Sequence, residues 1–109
     1  MNAEIKKVEN ELAVLDAARR EMCSRMHYST VSEILYQKKL PYTLEQEWRN
    51  DLGKYIRNYR YRWTSKWNSP ASLYIQETEA GRRSYGSMGA ALDALERVLK
   101  SYLRDLKAA

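Results

Sequence analysis

Apolar residues recur along this chain with three different periods, and the period sets the expected element. Between Ala3 and Met26 the positions Ile5, Val8, Leu12, Leu15, Met22 and Met26 fall at alternating steps of three and four, with Arg19 at the one place where another apolar residue belongs. That is an a/d heptad seam of little more than three repeats. A lone helix of this length is marginal in water, so the seam must pack against a second copy or against the rest of the chain. Arg19 inside it calls for a carboxylate from whatever it meets, Asp16 or Glu21 of a partner helix being candidates.

His27 and Tyr28 interrupt the pattern. Thr30 followed by Glu33 has the form of a capping box, and Val31, Ile34, Leu35 and Tyr36 give a short apolar face that Pro41 must end by Leu40. Thr43 to Gln46 reads as a second helix start. Leu44, Trp48, Leu52, Tyr55, Ile56 and Tyr59 follow at helical spacing, which predicts a helix over 44–60 with Arg49, Lys54, Arg57 and Arg60 on its polar side. From Tyr61 the period drops to two. Tyr61, Trp63, Ser65 and Trp67 alternate with Arg62, Thr64 and Lys66, as in a half-buried strand with a basic outer face. Asn68-Ser69-Pro70 marks a turn. Ser72–Thr78 reads as a second strand with Leu73 and Ile75 facing inward, Ala80-Gly81 as a turn, and Arg83–Ser87 as a short third strand.

The last segment is the most regular. Met88, Ala91, Leu92, Leu95, Val98, Leu99, Tyr102, Leu103 and Leu106 form one broad stripe, Ser87 is placed to cap it, and Asp93/Arg97 and Glu96/Lys100 are spaced for ion pairs on the outer side. The expected fold class is therefore α+β: a helical N-terminal half, a small antiparallel sheet of two or three strands, and a long amphipathic C-terminal helix. Residues 1–28 form the N-terminal coiled-coil-like helix, which dimerises or docks, and 29–109 a single compact domain.

At 109 residues the chain fits one domain. One Cys excludes an internal disulfide framework and fits a reducing, cytoplasmic setting, and no apolar run has the length of a membrane span. The net charge of +5 is local. Residues 49–66 hold Arg49, Lys54, Arg57, Arg60, Arg62 and Lys66 against Asp51 alone, a net of +5, while the flanking segments carry −1 and +1. The same stretch holds Tyr55, Tyr59, Tyr61 and Trp63. The chain has 9 Tyr, 3 Trp and no Phe, so most of its rings bring a hydroxyl that needs a partner when buried.

Catalytic signatures are missing. Cys23 and His27 stand four apart on the first helix, but no further Cys or His completes a zinc site, and no third group orients them as a nucleophile pair. A His closing the first helix would simply complement its dipole. Gly86-Ser87-Met88-Gly89 opens a helix behind Arg82 and Arg83, yet it is neither a nucleophile elbow nor a phosphate loop; an ordinary strand-to-helix turn explains it. No metal, cofactor or small-molecule substrate is expected, and no enzymatic activity.

What remains is a basic, aromatic surface: Arg49, Lys54, Arg57, Arg60, Tyr61, Arg62 and Lys66, with Arg82 and Arg83 as a second basic point. Tyr, Trp and Arg are the residues that anchor protein interfaces, which suits a small non-enzymatic regulator or inhibitor, of the kind phages and mobile elements encode, acting on an acidic protein partner. The alternative is nucleic acid, DNA or RNA, with the cations on phosphates and Tyr61 on a base; six phosphate contacts correspond to a log–log salt slope of about −5 on duplex DNA. If residues 61–67 are a strand, Tyr61 turns inward and Arg62 and Lys66 become the exposed contacts.

Overall fold

The computed structural model describes residues 3–22, 27–49, 58–66 and 69–109, with the backbone alone at 48, 49, 58 and 79. In chain order these form α1 (Ala3–Glu21), α2 (Tyr28–Gln37), β1 (Tyr42–Arg49), β2 (Asn58–Ser65), α3 (Pro70–Glu77), α4 (Glu79–Arg82) and α5 (Met88–Ala108). The fold is α+β, with one two-stranded antiparallel sheet and a long C-terminal helix.

The C-terminal helix forms as its stripe requires. Ser87 caps it by accepting from the Ala90 N–H at 3.1 Å, and Ala91, Leu92, Ala94, Leu95, Val98, Leu99 and Tyr102 are buried. Against it lies α1. Glu4 near the start of α1 accepts from the Tyr102 hydroxyl at 3.4 Å. Near the end of α1, Arg19 reaches Asp93 at 2.5 Å and Glu96 at 2.6 Å. The two helices therefore run antiparallel. Arg19 finds its carboxylates on the chain's own α5, where the seam had suggested those of a partner. Asp93 is thereby engaged by Arg19, while Glu96 also receives Lys100 at 3.0 Å as its spacing implied. Along the seam Val8 and Leu15 are buried, and Leu12 and Met22 pack at the rim of the core. Ile5 is half-buried, and Met26 lies outside the described residues. The buried arc of α1 is Val8, Glu11, Leu15 and Ala18, so one of its four inward residues is an acid.

The second helix starts one turn earlier than its capping box suggests. His27 is the N-cap: its ring accepts from the Ser29 N–H at 3.3 Å, leaving Thr30 inside the first turn. His27 thus serves the start of α2 and not the end of α1, and Cys23 lies outside the described residues. The helix stops at Gln37, ahead of Pro41, through Lys39 at φ 56°.

The helix expected over 44–60 is replaced by strand at both ends; residues 50–57 lie outside the described set. Tyr42 to Arg49 pair with Ser65 to Asn58 in an unbroken antiparallel register. Steps of four satisfy a strand as well as a helix, because four is a multiple of two. Leu44 and Trp48 therefore share a strand face just as they share a helix face. The discriminating positions are Tyr42 and Leu44 on β1 with Tyr61 and Trp63 on β2, alternating and all buried. Trp63 is the centre of this face. Its ring stands edge-on to Tyr42, and its Nε1–H donates to the Ala91 carbonyl at 2.8 Å, joining sheet to α5.

The strand expected at 72–78 is helix α3. Ser69 caps it by accepting from the Ser72 N–H at 3.1 Å, and Pro70 occupies its first turn, where a missing N–H costs nothing. Ala71, Ser72 and Ile75 face inward, and Leu73, expected beside Ile75, is exposed. Gly81 belongs to α4 and not to a free turn. A Cβ there would stand 2.5 Å from the Gln76 Cα, so only glycine lets α4 approach α3 so closely. The third strand shrinks to a single bridge, in which Tyr61 and Tyr85 exchange two backbone hydrogen bonds of 2.8 Å.

The tyrosine hydroxyls mostly find partners. Tyr28 donates to the Leu44 carbonyl, Tyr61 accepts from Gln46 at 3.3 Å, and Tyr74 donates to Asp105 at 3.0 Å. Among the described residues the Tyr42 hydroxyl is buried without a partner, as is Oε2 of Glu11.

Candidate functional site

The hairpin register decides which basic residues can meet a partner. Partners across an antiparallel pair share a face, so Tyr42/Ser65, Leu44/Trp63 and Gln46/Tyr61 look inward while Thr43/Thr64, Glu45/Arg62 and Glu47/Arg60 look outward. Tyr61, proposed as a stacking residue, is in the core: it is 9% exposed and its ring packs 5.8 Å from that of Tyr28. Arg60 is tied into the fold, with Nε donating to Ser84 Oγ at 3.1 Å and Nη2 to the Ser84 carbonyl at 2.7 Å. Arg62 is exposed, opposite Glu45. Arg49 ends β1 opposite Asn58, with its side chain undescribed, and Lys54 and Arg57 lie outside the described residues. The outer face is thus not uniformly basic, because carboxylates of β1 interleave with the guanidinium groups of β2.

Lys66 leaves the strand end in a different direction. Its N–H donates to the Pro41 carbonyl at 2.9 Å, which brings the end of β2 beside the end of α2. There its Nζ sits 4.7 Å above the ring of Tyr36. Tyr36, Gln37, Lys39 and Lys66 line an open groove of ≈ 500 Å³. Tyr36 is 68% exposed, the largest exposure among the big apolar side chains of the described residues. On the helical wheel it stands 100° beyond Leu35 and so leaves the Val31–Leu35 stripe, which was the available signal that it is not core. Lys39 had no sequence signal. It occupies the left-handed position just past the helix end, where glycine is the usual residue, and a lysine there is strained by about 1 kcal/mol.

Arg82 and Arg83 are exposed; Arg82 ends α4 and Arg83 follows it on the way to the Tyr61–Tyr85 bridge. They do not converge on a prepared anion site. Ser87 precedes α5 as its N-cap and turns its side chain onto the Ala90 N–H, as in an ordinary turn into a helix.

Ion pairs hold some of the basic residues and leave others open. Arg19, Arg20, Lys38 and Lys100 each hold a carboxylate. Among the described residues no carboxylate forms an ion pair with Lys39, Arg62, Lys66, Arg82 or Arg83. No three His, Cys, Asp or Glu side chains among the described residues come together as a metal site. No helix among the described residues is long and apolar enough to cross a membrane. Burial raises the hydroxyls of Tyr28 and Tyr102 above their ordinary pKa, so both stay neutral donors at physiological pH. No family model, curated protein or solved structure matches the chain.

Proposed function

We propose that this is a small non-enzymatic regulatory or inhibitory protein of the cytoplasm that acts by gripping an acidic segment of a protein partner. The face that does so is built from Tyr36, Lys39 and Lys66, with Arg62 exposed further along β2. The carrying observation is the groove itself: an exposed tyrosine ring under Lys66 with Lys39 in the same lining, neither lysine in ion-pair contact with a carboxylate among the described residues. Such a site offers apolar contact and charge at once, as interface anchors do. The strain retained at Lys39 fits the same reading, since a glycine would relieve it and lose the cation.

Nucleic acid is the second reading, supported by the exposed Tyr36 ring beside two lysines. The carboxylates of Glu45 and Glu47 on the outer sheet face confront an acidic peptide and a phosphate alike, so either partner is held at the groove and not across the hairpin. Titrating the protein with an acidic polypeptide (poly-Glu), duplex DNA, single-stranded DNA and RNA over a salt series separates the readings. Preference for the polypeptide, weakened by Lys66→Gln, is expected. Preference for a nucleic acid moves the assignment to the second reading, and failure to bind any of the four at low salt overturns both.

A further inference from the structure

The buried acid on α1 has no place in a binding surface, and its setting is unusual. Glu11 is 6% exposed, on the arc with which α1 meets the core, and its Oε2 has no hydrogen-bond partner. The hydroxyl of Tyr42, at the start of β1, is buried and equally unpartnered. An ionised carboxylate held without partners in such a place is strongly disfavoured, whereas a protonated one is tolerated. Four groups act on it. From α1 itself come Lys7, which favours the charged form, and Glu4, which opposes it. From β1 comes Tyr42 and from α5 Tyr102. Lys38, just past the end of α2, is engaged elsewhere, by Glu21 at the far end of α1.

We propose that Glu11 makes the seating of α1 conditional on pH: α1 is held on α5 and β1 while the Glu11 carboxyl is protonated, and ionisation of that carboxyl loosens it. Desolvation lifts the seated carboxyl from its ordinary value to about 7. In a released helix the group returns to its ordinary value of 4.5. The seated state therefore binds the proton more tightly. Seating is strongest below pH 4.5, weakens as pH rises from there to 7, and levels off above. Between pH 5 and pH 7.5 the seating equilibrium falls roughly fiftyfold. The other end of α1 stays tied by Arg19 to Asp93 and Glu96, so release is a local opening and not unfolding of the chain.

Amide hydrogen exchange on the full chain, corrected for intrinsic rates, tests this at pH 5 and pH 7.5. The α1 amides are expected to lose protection by roughly fiftyfold while those of α5 hold, and Glu11→Gln is expected to abolish the pH dependence. Equal protection of α1 at both pH values, equal loss in α1 and α5, or the same loss in Glu11→Gln overturns the proposal. A carbon-13 titration of the Glu11 carboxyl in the unmodified protein needs no variant. A midpoint near 7 supports the proposal, and one near 4.5 overturns it.

Discussion

The α1/α5 pair and the corner where α2 meets the end of β2 both carry lysines and arginines, but they use them differently. On the helix pair each of Arg19, Arg20 and Lys100 is met by a carboxylate, and Arg19 bridges the two helices. Those three charges are part of the scaffold. At the corner, Lys66 rests on a tyrosine ring, Lys39 has no carboxylate in ion-pair contact among the described residues, and Tyr36 is left in the open. Charge there is available to something outside the molecule. The contrast teaches that net charge alone says little about binding. What counts is whether the fold has already spent the opposite charge on it.

Breaking the scaffold side has the largest effect. Leu95→Ala removes a fully buried side chain from α5 and is expected to cost about 2–5 kcal/mol in urea unfolding, with binding per folded molecule unchanged. The corner responds with the opposite sign: Lys39→Gly relieves the left-handed backbone and should raise stability by about 1 kcal/mol while weakening capture of an acidic polypeptide. Arg19→Ala cuts the bridge between α1 and α5, and because that bridge is partly solvated the expected loss is at most about 1 kcal/mol, smaller at high salt. The smallest change is Arg62→Gln. Its thermal unfolding should stay within about 0.5 kcal/mol of the parent, since its side chain is exposed and unpaired, and only the salt dependence of binding should move.

Legibility followed the strength of the periodic signal. The stripe on α5 spans about five turns and begins behind a capping serine, so helix, cap and core face could all be read in advance. The hairpin could not, because Leu44, Trp48 and Tyr59 fit both periods and the helical pattern was the longer one. Ser72–Thr78 failed for the opposite reason: the segment is short, and Leu73 and Ile75 alternate like a strand while the true signal, Ser69 capping behind Pro70, sat just upstream. The residues of the proposed face were only partly among those singled out from sequence. Arg62 and Lys66 were legible once the strand was, whereas Tyr36 and Lys39 reach the site through the fold's closure of Lys66 onto Pro41, a contact 25 residues apart that no local pattern encodes.

Two variants of equal charge test the central distinction directly. Lys39→Gln with Lys66→Gln removes both lysines that line the groove, and Arg20→Gln with Lys100→Gln removes two paired cations from the helix pair; both lower the net charge by the same amount. Anisotropy titrations with a labelled acidic polypeptide at low salt should show binding lost in the first variant and retained in the second. Equal loss in both would mean that overall charge, and not the corner, accounts for binding.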